Sequence, residues 1–368
     1  MNYETPQFFH VMQYAENAAG DVIDMVSGNP DWEPPQAVRD GLQRYAERDA
    51  ADFQYPPSDG LGSLREEIAA RRNVDSDRVI ITNGTGEANY LAMAAALEGD
   101  RGEEVVLIDP VYPYYLGKST MLGGTSRLVA ADRDGSLDVD AVCEAIGEET
   151  ALIVLNTPNN PTGAVYDIDA IRAVVETAAD HDALVVVDEV YDHFDFSGRF
   201  ESALTLDSDA VIVTSGVSKS MAITGFRVGY AIFPPALIER AKTRHMLVNV
   251  ATSRPAQQAV YEAYRETDPD YYRAAREQLE DRIDQFTSAL DAAGAAYTTP
   301  DGAFYVLARF EGVPGTMENV KRLIDDAGVA GMPGATFGTA RSDWFRFALV
   351  TPRVDEAADR LAAYFTGR

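Results

Sequence analysis

The segment Thr214-Ser-Gly-Val-Ser-Lys219-Ser-Met-Ala-Ile-Thr-Gly-Phe-Arg227 sets a lysine in a Ser- and Gly-rich stretch directly after an apolar run, with an arginine eight residues on. Of the 31 basic residues only Lys118, Lys219, Lys242 and Lys321 are lysines, so a chain that otherwise relies on arginine keeps a primary amine here. A primary amine in a loop at a strand end suits addition to a carbonyl, giving a Schiff base. Taken alone, the same lysine also reads as a solvated loop residue.

Further polar residues follow other apolar runs. Val79-Thr82 leads into Asn83-Gly84-Thr85-Gly86, a Gly-rich turn before a helical pattern; free N–H groups and a positive dipole end there suit an anion, although glycines also cap many helices. Glu104-Asp109 leads into Tyr112 and two more tyrosines, rings that could stack on a planar ligand or merely pack the loop. Ala151-Asn156 leads into the turn-dense Asn156-Thr-Pro-Asn-Asn160-Pro161-Thr-Gly163. Ala183-Asp188 ends in a carboxylate followed by Tyr191. A charge at the mouth of a buried strand needs a partner: either it caps a following helix or it faces a bound cation.

These residues must be held by something regular. The six apolar, β-branched runs between residues 79 and 233, the last two being Ala210-Ser215 and Gly229-Phe233, read as strands buried on both faces of a parallel sheet. Helical patterns such as Glu87-Leu97 and Asp169-Ala179 lie between them, which predicts an α/β layered fold. In such sheets ligands sit beyond the carboxyl ends of the strands, where the polar residues gather. The last hundred residues predict an α+β unit: a long helix over Asp268-Ala293, strands at Ala303-Arg309 and Trp344-Val350, and a helix over Val354-Phe365. Pro34-Pro35 and Thr267-Asp-Pro269 mark seams. The expected organisation is residues 1–39 joining the small domain, 40–266 forming the large α/β domain and 267–368 completing the small one.

The motifs N-P-T-G at 160–163, D-x-x-Y at 188–191 and S-K-x(7)-R at 218–227, in this order, resemble the fold type I, class I/II pyridoxal-phosphate (PLP) aminotransferases. The likeness extends to Gly28-Asn-Pro30-Asp, to Tyr55 through Arg65, to Pro300 through Tyr305, to Pro333 through Gly338, and to Phe345-Arg346-Phe347. It implies a mostly parallel central sheet with helices on both faces plus a smaller α+β domain, and ping-pong transfer of an amino group from an amino acid to a 2-oxo acid. It further implies catalytic roles for Lys219, Asp188 and Tyr191. Lys219 would bind the cofactor aldehyde; Asp188 would pair with the pyridine nitrogen; Asn160 and Tyr191 would bond the ring oxygen. Tyr112 would stack on the ring, and Gly84, Thr85 and Arg227 would hold the phosphate. Gly28, Asn160 and Arg346 would contact the substrate, with Arg346 gripping its α-carboxylate. A homodimer is implied, with Tyr55 entering the cofactor site of the other subunit. Other PLP reactions on the same scaffold are the nearest alternative: decarboxylation, C–S lysis or histidinol-phosphate-type transamination. A non-enzymatic PLP-binding regulator is more remote.

Two positions depart from the pattern. Gly216 stands where the family usually has a phosphate-binding serine, leaving Ser215 or Ser218 to compensate or one contact missing; Arg254 stands where Asn often precedes the proline. An arginine that some aspartate-specific relatives carry near Asn249 is absent.

Composition narrows the classes. A net charge of −28 argues against nucleic acid or anionic membranes as partners, and together with the scarcity of lysine it suggests a halophile. The single Cys143 precludes an internal disulfide and suits a reducing, cytoplasmic setting. The four histidines show no metal-ligand spacing, so no metal is expected. The first residues lack a basic stretch followed by an apolar run, so no secretory leader is expected. The S-x-x-K and G-x-S-x-G patterns of serine hydrolases are absent.

Overall fold

The structure is a computed structural model that describes residues 6–99 and 101–366. Residues 1–5, the start of the segment read as lacking a leader, lie outside the described residues. No helix among the described residues is long and apolar enough to cross a membrane.

The first strand in the chain is Ile23–Asp24 (β1). Seven strands then build the main sheet: Val79–Asn83 (β2), Glu104–Asp109 (β3), Thr125–Ala130 (β4), Thr150–Asn156 (β5), Leu184–Asp188 (β6), Val211–Gly216 (β7) and Val228–Ile232 (β8). Their order is β2-β8-β7-β6-β5-β3-β4. The five from β7 to β4 run parallel, while β8 is antiparallel to both its neighbours. The expectation of a mostly parallel α/β sheet therefore holds, but the run Gly229-Phe233, read as one more parallel strand, runs the other way.

The continuous apolar runs follow from burial on both faces. Along each strand alternate residues point to opposite sides. Val106, Ile153, Val185 and Val213 pack on one face with helices Val139–Ala145 and Ile168–Asp180. Val105, Leu152, Val186 and Ile212 pack on the other with helices Thr85–Leu97 and Ile238–Asn249. β4 has no counterpart among the expected strands: it is an edge strand, largely exposed, with Ser126 and Arg127 breaking its apolar character.

A second core joins the two ends of the chain. Val11, Ile23, Met25 and Val26 pack with Phe286, Val306, Leu323, Phe345, Phe347 and Leu361. Here strands Ala296–Tyr297 (β9), Tyr305–Arg309 (β10), Met332–Pro333 (β12) and Phe345–Ala348 (β13) form an antiparallel sheet, and β1 pairs in parallel with Val329–Ala330 (β11). The helix over Pro269–Ala292 packs on the C-terminal helix Val354–Thr366. Hydrogen bonds bring this unit against the main sheet's mouth: Gly302 N–H donates to Gly163 O at 2.7 Å, and the Asp109 carboxylate at the end of β3 accepts from Thr339 N at 2.8 Å.

Candidate active site

Register puts the polar strand ends side by side. Asn156 pairs with Asp188, and Asp188 with Thr214, so three strands finish in one row. The reversal of β8 matters here. Because it starts where its neighbours end, Val228 lies opposite Asn83 and Gly229 opposite Gly216. Arg227, just before β8, is thereby carried to the same edge as the lysine loop and the Gly84 turn. Gly84 has φ +74°, a conformation that favours glycine, and a Cβ there would run into the Arg227 guanidinium.

A cleft of about 890 Å³ opens at this edge and reaches across to the terminal unit. Gly28, Thr85, Tyr112, Asn160, Asp188, Tyr191, Lys219, Arg227 and Arg346 all line it. Gly84 backs it through the Arg227 contact. Tyr55 does not line it; its side chain is 84% exposed on the outer surface of the same chain.

Lys219 Nζ donates to Gly28 O at 2.6 Å and stands 5.9 Å from the Phe304 ring centre. Burial, with help from the Arg346 and Arg227 charges, pushes its pKa down to about 8. Deeper in, Asp188 is buried; its Oδ2 accepts from Asn89 Nδ2 and from Tyr115 OH, both at 2.7 Å, and its Oδ1 from Val190 N at 3.1 Å. No helix follows it, so its burial is not that of a helix cap. Desolvation raises the Asp188 pKa while the Asn89 and Tyr115 bonds pull it back down. Tyr191 OH meets Tyr305 OH at 3.1 Å.

Arg346 lies on β13 between Phe345 and Phe347. Those two rings enter the terminal core, and the period-2 alternation turns Arg346 to the cleft. Its guanidinium sits 4.7 Å from the Tyr305 ring centre and 5.2 Å from that of Phe337, and donates to Val26 O. Burial lowers its pKa from the ordinary arginine value.

Several buried polar atoms facing this cleft have no partner among the described residues: Thr85 Oγ1, Asn160 Oδ1, Ser218 Oγ and Arg346 Nε. Such atoms are costly to bury unpaired. Their types, two hydroxyls, an amide and a guanidinium in the cleft that Arg227 also lines, fit a phosphorylated, ring-bearing aldehyde and a carboxylate substrate. Gly216 is tightly surrounded: a Cβ there would sit 2.7 Å from Thr85 Oγ1 and 3.0 Å from both Gly229 Cα and Val228 O, so Thr85 would have to shift to admit a serine. Ser215 Oγ turns away to Glu189 O at 3.2 Å, whereas Ser218 faces the cleft.

Sequence reasoning passed over Asn89 and Tyr115, the two residues that hold Asp188. The one available signal for Asn89 was an amide among the alanines of its helix, which the structure buries; Tyr115 shares with Tyr112 and Tyr114 the two readings of stacking on a ligand or packing the loop.

The comparisons agree with this geometry. The family model "Aminotransferase class I and II" matches residues 20–361. A probable aspartate/prephenate aminotransferase of Thermus aquaticus is 31% identical over 353 residues, covering 93% of this chain and 91% of its own. A probable aspartate aminotransferase of Methanocaldococcus jannaschii is 29% identical, covering 92% and 91%. Among solved structures, the aspartate aminotransferase of Thermotoga maritima superposes with a TM-score of 0.90 at 26% identity, over 99% of this chain and 98% of that one. That of Thermus thermophilus with maleate gives 0.88 at 29%, over 98% and 96%. The chain belongs to the class I and II aminotransferases and is a PLP-dependent transaminase of fold type I.

Proposed function

We propose that this cleft moves the amino group of an amino acid to a 2-oxo acid with the residue roles that follow. The observation that carries the assignment is the set of buried, unpartnered polar atoms facing a cleft that also holds Lys219 and Asp188. Bound PLP supplies an aldehyde carbon and an electron-withdrawing ring. Gly84, Thr85, Ser218 and Arg227 would hold its phosphate, Ser218 serving in place of the serine usual at position 216. Tyr112 would stack on its ring, Asn160 and Tyr191 would bond its oxygen, and Asp188 would pair with its nitrogen.

Arg346 binds the substrate α-carboxylate, and the Gly28 backbone and Asn160 border it. Lys219 Nζ takes the proton from the substrate α-carbon. An amine with a pKa near 8 is part neutral at physiological pH and can act as that base. The rings of Tyr305 and Phe337 beside Arg346 exclude water and strengthen its pairing with a carboxylate.

We also infer a homodimer in which Tyr55 reaches the partner's cleft. Its exposure supports this, as does that of Phe53, Leu247, Val248 and Val250. Residues 1–39 and 267–368 form the small domain and 40–266 the large one; the core shared by Val11–Val26 and the C-terminal elements supports that division. A cytoplasmic setting suits the lone Cys143.

The test is a donor screen. Protein loaded with PLP is mixed with acidic, aromatic and branched amino acids in turn. Formation of pyridoxamine phosphate, reversed by a 2-oxo acid, supports the reading. Release of ammonia or carbon dioxide alone would replace it with elimination or decarboxylation. Borohydride reduction should label the peptide containing Lys219.

A further inference from the structure

Arg254 opens helix Arg254–Glu266 and points away from the cleft of its own chain. Its Nη1 donates to Ala51 O at 3.1 Å and Gln54 O at 3.3 Å, and its Nη2 to the Asp52 carboxylate. These acceptors belong to the short 3₁₀ turn Ala50–Phe53 and the residue just after it. Ala51 O also accepts from Gln54 N at 3.3 Å, so the guanidinium adds a second donor there and ties it to Gln54 O and to the Asp52 carboxylate through one planar fork. The next residue is Tyr55.

The far side of the Tyr55 segment is held by the same helix. Gln257, fully buried, accepts from Leu61 N at 2.8 Å through Oε1, while its Nε2 donates to Thr252 Oγ1 at 2.8 Å. Positions 254 and 257 share a helix face. One helical turn therefore grips the chain before Tyr55 and again at Leu61. Pro56 and Pro57 stiffen the interval, and Tyr55 stands out from it almost fully exposed. An asparagine at 254 would be shorter, uncharged and limited to two N–H donors.

We propose that Arg254 is a positioning residue: by clamping the 51–54 backbone and Asp52 it sets the direction in which Tyr55 projects, and thereby the fit of Tyr55 in the cleft of a second copy of this chain. The inference rests on the reading that Tyr55 completes a partner's cofactor site.

A double-mutant cycle tests it. Apoprotein is titrated with PLP and the dissociation constant is read from the cofactor's spectrum for wild type, R254A, Y55F and R254A/Y55F. Each single change weakens binding roughly tenfold, and the double change is no worse than the weaker single one. Losses that multiply overturn the proposal. If Y55F alone has no effect, the underlying reading of Tyr55 fails; if Y55F weakens binding and R254A does not, only the present inference fails. R254K, which keeps the charge but not the planar fork, stays close to R254A; full recovery would overturn the clamp. Should R254A not fold, D52N replaces it in the same cycle with the same expected coupling to Y55F, and independent losses there overturn the proposal.

Discussion

Asn89 Nδ2 donates to Asp188 Oδ2 at 2.7 Å while Asn89 Oδ1 accepts from Thr214 Oγ1 at 2.6 Å. Both ends of the amide are used, so its orientation is fixed and Asp188 always meets a donor. Burial already raises the Asp188 pKa, and this bond is the largest effect opposing it. N89A should raise it further, so the ionised carboxylate disappears at a higher pH. The acid limb of kcat should shift to higher pH, and kcat at neutral pH should fall about tenfold or more, in line with ~1.5–3 kcal/mol for a hydrogen bond to a charged group. A pH–rate profile checks both; an unmoved acid limb would remove Asn89 from this role.

Lys219 titrates at about 8, below the ordinary 10.5, chiefly through burial and next through Arg346. The neutral amine therefore gains ground as pH rises through 8. Capture of an aromatic aldehyde by the apoprotein should accelerate through that pH and then level off. R346M removes a repelling cation, so the midpoint should move up. Stopped-flow absorbance across pH 6–11 (a range set by about two to three units either side of the midpoint) measures it.

Gly216→Ser should not improve phosphate binding, even though it restores the residue usual in the family. Its Cβ would press on Thr85 Oγ1 and on the Gly229 backbone. Overpacking of this kind costs about 1–3 kcal/mol, so thermal stability and cofactor affinity should both drop. Ser218→Ala should weaken the cofactor without lowering the stability of the apoprotein. Unfolding curves and spectral titrations separate the two effects.

A net charge of −28 opposes the compact state when it is unscreened. The Debye length falls from ~10 Å at 0.1 M salt to ~3 Å at 1 M. The unfolding midpoint should therefore rise over that range in potassium chloride. A flat or falling midpoint would count against adaptation to high salt.

The sheet was largely legible because most of its strands are buried on both faces and carry unbroken apolar runs. β4 was hidden by its exposed edge, where Ser126 and Arg127 dilute the signal. The direction of β8 was not legible, since Val228–Ile232 is as apolar as its parallel neighbours; only the pairing of Gly216 with Gly229 reveals the reversal. The site residues stood out at strand ends by chemical type. Their supports did not, because Asn89 and Tyr115 act through contacts with residues distant in sequence. Arg254 looked anomalous in the chain, and its partners at 51–54 are visible only once the helix is placed.

Strand β1 finds its hydrogen-bonding partner, Val329–Ala330, only near the opposite terminus. During synthesis β1 must therefore wait, unpaired, until the residues through β11 have emerged. The central sheet can assemble in the meantime. The wall of the cleft that carries Gly28 and Arg346 then closes last, so a nascent chain halted before β11 would own the lysine yet lack the pocket around it.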